Sequence, residues 1–113
     1  MFAARFSLKQ LILVVDRNRL QSYGSDEQVM NMGDLAEKFS AFGCRVVTVD
    51  GHDHDALEKL FSGAGLDGDP RPTVAVAHTV KGKGVSFMEN RLEWHFKSPN
   101  EEQLARALEE LSR

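Results

Sequence analysis

The sequence predicts an α/β fold in which a three-stranded, mainly parallel sheet forms part of a doubly wound arrangement. Two observations carry that expectation. Apolar runs at Leu11–Val15, Val46–Val49 and Thr73–Ala77 show no polar alternation and contain β-branched residues, as in strands covered on both faces. Segments with helical spacing separate the runs, and strand–helix alternation is the pattern of right-handed βαβ units.

Taken in order, Met1–Lys9 reads as the last turn or two of a helix that begins upstream, followed at once by the first strand. Three buried strands need helices on both sides, so residues 1–113 read as one partial domain, the second half of a larger doubly wound unit apparently truncated at its N-terminus. After the first strand, Leu35, Phe39 and Phe42 fall at i, i+4 and i+7, and Gly43 sits where a helix C-cap glycine belongs. After the second, Ala56, Leu57, Leu60 and Phe61 form a stripe behind the capping candidates Asp53 and Asp55. Ser62–Pro72, loaded with Gly, Asp and Pro, reads as a surface loop. Ser98-Pro99-Asn100-Glu101 reads as a capping box with proline in the first turn, and Leu104, Leu108 and Leu111 follow on one face.

Composition narrows the function classes. Fourteen Lys and Arg against 17 Asp and Glu give a net charge of −3, which is no basic footprint for a nucleic acid. The apolar run Leu11–Val15 is far too short to span a bilayer, and the N-terminus lacks a secretory signal. A lone cysteine excludes an internal disulfide framework and suits a reducing, cytoplasmic setting. Cys44 has no visible activating partner and reads as packing.

In open parallel sheets ligands bind at the carboxyl ends of the strands. That directs attention to Asp16–Met32, Asp50–Asp55 and His78–Asn100. Asn18 offers a neutral oxygen suited to a hard cation; the plainer reading is an Asx turn involving Asp16 and Asn18. In Gly51-His52-Asp53-His54-Asp55 the aspartates are better explained as helix caps than as metal ligands. Lys81-Gly82-Lys83-Gly84 combines backbone freedom with positive charge, either an ordinary glycine turn or a phosphate contact. His95, between Trp94 and Phe96, is either a proton donor or an edge histidine.

Together the loops say more. Val15-Asp16-Arg17-Asn18-Arg19-Leu20-Gln21, Ala41-Phe42-Gly43, Val49-Asp50-Gly51-His52-Asp53, His78-Thr79-Val80-Lys81-Gly82-Lys83-Gly84-Val85-Ser86-Phe87-Met88-Glu89 and Trp94-His95 closely resemble the transketolase family. The similarity is to the separately encoded amino-terminal subunits that bind thiamine diphosphate. It implies a transferase moving two-carbon ketol units between sugar phosphates with thiamine diphosphate and Mg2+ or another divalent cation. By motif, Asn18 matches a magnesium-ligating asparagine and Leu20 a position giving its backbone carbonyl to the same ion. Lys81 matches a lysine near the cofactor, and His95 a histidine that approaches cofactor and substrate.

The family pattern has a Gly-Asp-Gly with a further metal-binding aspartate just upstream of the stretch matching Met1, and no such motif occurs in this sequence. The resemblance therefore implies an isolated chain that is inactive, completed by a second chain or in a homodimer. The alternative is a non-catalytic remnant or interaction module of the same fold. Phe96 stands where the family has glycine, a change that would crowd the substrate channel.

Overall fold

A strand at Thr73–His78 has a strand hydrogen-bonded on each side, so its backbone donors and acceptors are satisfied without water. It organises a computed structural model that describes residues 1–63 and 67–112. The elements run α1 (Phe2–Arg5), β1 (Ile12–Arg17), β2 (Leu20–Gln21), β3 (Gly24–Ser25), α2 (Asp26–Val29), α3 (Leu35–Ala41), β4 (Arg45–Asp50), α4 (His54–Gly63) and β5 (Thr73–His78). A 3-10 turn at Leu92–His95 and α5 (Glu101–Leu111) complete the described chain.

The residues divide into two units. One comprises Met1–Arg17 and Gly33–Thr79; the other comprises Asn18–Met32 and the chain from Val80 onward. The first holds the parallel sheet, in the order β1-β5-β4. The register is uniform, with Ile12 and Arg45 both opposite Thr73, and Arg17 and Asp50 both opposite His78. Val74, Ala75, Val76 and Ala77 are buried in succession. This matches a strand covered on both faces. Helix α3 ends as expected: Gly43 takes φ +84°, its amide donates to the Ser40 carbonyl at 2.9 Å and the Cys44 amide to the Phe39 carbonyl at 3.2 Å. This is a Schellman closure in which glycine carries the left-handed residue. Cys44 is buried directly behind it.

The outer strands differ from the sequence reading. In β1, Leu13 and Val14 point to opposite faces, yet they are 45% and 44% exposed. Their apolar character therefore does not reflect cover within the described residues, and only the central strand meets that expectation. In α4, Ala56, Leu57 and Leu60 are half-buried while Phe61 is exposed. Ser62 and Gly63 extend α4, and the loop expected from there contains residues 64–66, which lie outside the described residues. From Asp67 to Pro72 the chain is irregular and held by ion pairs: Arg45 to Asp67, and Arg71 to Asp69 at 2.7 Å. The Arg71 side chain donating to Asp69 holds that carboxyl down at about 2.

In the second unit, β2 and β3 form a short antiparallel hairpin with Leu20 opposite Ser25 and Gln21 opposite Gly24. Ser25 caps α2 in a reciprocal box with Gln28. The cap of α5 is Asn100, reciprocated by Gln103, rather than Ser98. Pro99 therefore precedes the helix, and Asn100 to Gln103 gives the three-residue spacing that closes the box. Leu104, Leu108 and Leu111 are 49%, 60% and 60% exposed, whereas Ala107 is the buried residue of the helix. Among the described residues no helix is long and apolar enough to cross a membrane.

Shortening the fully buried Val74 to alanine removes two methyl groups from the centre of the sheet. We expect a loss of about 2 kcal/mol, combining transfer and cavity terms, read from the midpoint of urea unfolding. The same change at half-exposed Val14 should cost well under half as much.

Candidate functional site

The strand rim and the loops that follow it supply the polar groups. At the rim, Arg17 and Asp50 flank His78 in register. Asp16 accepts a hydrogen bond from the Thr79 hydroxyl. Asp53 caps α4, accepting from the Ala56 amide at 3.0 Å, and Asp50 accepts from the His52 amide at 2.9 Å. These aspartates have structural roles.

The residues singled out for chemistry, Asn18, Leu20, Lys81 and His95, all fall in the second unit. Asn18 Oδ1 accepts from the Leu20 amide at 2.9 Å. This is an Asx turn, with Arg19 between them at φ +63°. The turn does not exhaust the oxygen, because an amide carbonyl has two lone pairs. It fixes the side chain so that the second lone pair is presented in one direction. The Arg19 carbonyl accepts from the amide of buried Asp26 at 3.0 Å, which anchors the middle of the turn. The oxygens available at this turn, an amide oxygen and backbone carbonyls, are of the kind that suits Mg2+ better than a softer metal.

Strand β2 packs beside the turn Leu92–His95, so the segments carrying Leu20 and His95 lie together. His95 is exposed at the end of that turn. Its ring meets Phe96 edge-on, with centroids 4.8 Å apart and planes at 84°. Phe96 takes φ −120° and ψ −19°, a conformation open to any L-residue. The non-glycine side chain there costs no backbone strain, and at 72% exposure it projects into solvent.

Lys81 belongs to a tightly closed segment. Its carbonyl accepts from the Asn90 amide at 2.9 Å. Gly82 takes φ +74°, and a Cβ there would sit 2.7 Å from the Met88 backbone. The Gly84 amide donates to Glu89 Oε1 at 3.0 Å. Among the described residues no hydrogen bond of Lys81 or His95 reaches Asn18 or Leu20; packing brings the Leu20 and His95 segments together.

Sequence reasoning missed the side chains that fasten this segment to α5. Glu110 accepts the Ser86 amide at 2.5 Å and the Ser86 hydroxyl at 2.8 Å. Arg106 donates to Glu110 Oε1 at 2.9 Å and to the Ser86 hydroxyl oxygen at 2.9 Å. Its guanidinium lies 5.0 Å from the centroid of the Phe87 ring. Phe87 in turn meets Trp94 at 5.4 Å, and the Trp94 indole N–H donates to the Phe87 carbonyl at 2.9 Å. The only signal in the sequence was the Arg106/Glu110 spacing of four, which reads as an ordinary surface pair.

Comparison with known proteins follows the same lines. Residues 1–112 match the family model described as transketolase, thiamine diphosphate binding domain. The chain is 34% identical over 108 residues to an apulose-4-phosphate transketolase subunit of Phocaeicola vulgatus, covering 96% of this chain and 38% of that protein. It is 33% identical over 113 residues to the 6-deoxy-6-sulfo-D-fructose transketolase subunit SqwG of a Clostridium species, covering 100% and 41%. The crystal structure of transketolase from Campylobacter jejuni superposes with a TM-score of 0.87 at 25% identity, over 98% of this chain and 17% of that one. The chain thus spans about two fifths of the length of the curated relatives it matches.

Two outcomes follow from the site's geometry. Gly82→Ala should destabilise by more than the roughly 1–2 kcal/mol of a left-handed L-residue, because the added carbon also strikes the Met88 backbone; urea unfolding measures it. Glu110 has its pKa lowered from the ordinary 4.5, first by the Ser86 amide, then by the Ser86 hydroxyl and Arg106. A depressed carboxylate stabilises above its unfolded value and loses that contribution as pH falls through its folded one. Thermal unfolding of Glu110→Gln should therefore differ from the parent at neutral pH, with the gap closing as pH falls below 4.5.

Proposed function

The chain belongs to the transketolase thiamine diphosphate-binding domain family, and from that premise we propose that it is a component of a transketolase-like transferase that moves two-carbon ketol units between sugar phosphates. The observation that carries the reading is the Asx-held oxygen of Asn18 beside Leu20, on a hairpin packed against the turn that bears His95. That arrangement suits an Mg2+-bridged diphosphate, since Mg2+ favours a few protein oxygens together with phosphate oxygens.

In this reading Asn18 gives its side-chain oxygen and Leu20 its backbone carbonyl to Mg2+, and Lys81 offsets phosphate charge. Thiamine diphosphate supplies the electron-sink chemistry when bound, and the protein binds and orients it. The exposed imidazole of His95 holds or gives a proton at the substrate oxygen. Residues 1–113 act as part of a thiamine diphosphate domain, completed by a second chain as the subunit names of the relatives suggest, or by a homodimer. The lone buried Cys44 fits a cytoplasmic setting.

Two protein oxygens hold Mg2+ weakly, so the isolated chain is inactive in ketol transfer. Phe96, where the family has glycine, favours a second reading, a non-catalytic remnant or interaction module. Calorimetric titration with thiamine diphosphate and Mg2+ separates the two. The enzyme-component reading expects Mg2+-dependent uptake, weakened at least about tenfold in Asn18→Ala, in line with losses at metal sites. A folded chain with no Mg2+-dependent uptake would sink self-sufficient binding and leave a partner-dependent subunit or the second reading.

A further inference from the structure

Helix α5 is attached in an unusual way. Its Leu104 and Leu108 are exposed, Leu111 lies against Gly84, and its bonded contacts with the preceding segment run through Arg106 and Glu110. An exposed ion pair contributes little to stability, and Arg106 is largely exposed. What these two side chains supply is direction. Glu110 grips one residue, Ser86, by both its amide and its hydroxyl. Arg106 completes the triangle through the Ser86 oxygen and lays its flat guanidinium over the next residue, Phe87.

From Phe87 the contact passes to Trp94 by ring packing and by the indole hydrogen bond, and Trp94 is bonded in sequence to His95. In the other direction, Ser86 lies inside the segment closed by the Lys81–Asn90 backbone bond. Lys81 and His95 thus both hang on the two residues that α5 holds. We propose that Arg106 and Glu110 are positioning residues, and that α5 braces the Lys81–His95 segment in the one geometry that serves the cofactor. The functional half of that statement rests on the reading above; the brace itself does not.

The protein's single tryptophan is Trp94, so its indole N–H reports the end of the brace without ambiguity. In the full chain, Arg106→Ala and Glu110→Gln should shift the indole proton resonance and speed its exchange with solvent by about tenfold, the loss of roughly one net hydrogen bond. Arg106→Lys keeps the charge but loses the planar fork and the stack, so it should recover only part of the parent behaviour. Leu108→Gln, at an exposed position, should leave the indole signal unchanged. If Arg106→Ala fails to fold, Glu110→Gln carries the same expectation with shape preserved. An unchanged indole resonance and exchange rate in folded Arg106→Ala or Glu110→Gln would overturn the proposal. Titration with thiamine diphosphate and Mg2+ separates the two claims. No uptake by the parent, with the indole response intact, would remove cofactor binding by this chain alone and leave the brace standing.

Discussion

The pairing of β5 on both edges is the constraint from which the rest follows. A strand with neighbours on each side has no backbone group left for water, so its side chains can be small and apolar: Val74, Ala75, Val76 and Ala77 are buried in an unbroken row. Small residues let covering elements approach closely, and the uniform register brings all three strands to an end at the same level, at Arg17, His78 and Asp50. A level rim makes the loops that leave it neighbours at their origin. The chemistry assigned to Asn18 begins one residue beyond the end of β1.

Much of this was legible. Unalternated apolar runs rich in β-branched residues identified all three strands. Gly43 marked the end of α3 because few other residues accept φ +84° there. Asp53 read as a cap and is one. The failures have physical causes. Periodicity reports that a helix has an apolar face and not what covers it, as the exposed Leu104 and Leu108 of α5 illustrate. The exposure of Leu13 and Val14 in β1 is the same ambiguity in a strand. Ser98 and Asn100 both satisfy the start of a capping box, and the amide of Gln103 decided between them.

The site was half legible. Asn18, Leu20, Lys81 and His95 were singled out because they lie in compact motifs, where short spacing carries the information. The Ser86–Arg106–Glu110 triangle was invisible, because Ser86 is separated from the other two by 20 and 24 positions and a single sequence does not say which distant residues meet. For Asn18 the plainer reading, an Asx turn, is the one present, and it leaves a second lone pair on the oxygen. The turn consumes one lone pair and aims the other.

The order in which the sheet is assembled sets the manner of its folding. The central strand is the last of the three in the chain, and Ile12 finds its partner only at Thr73. During synthesis β1 and β4 therefore exist with their inner edges open until His78 has emerged. Closing such a long loop precedes any reward from pairing, and sheets of this kind are slow to form and exposed to wrong pairings while they wait. In that interval the Schellman closure of α3 and the cap of α4 are local structures that need no distant partner, so they can hold the connections short and ordered until β5 arrives to join the two edges.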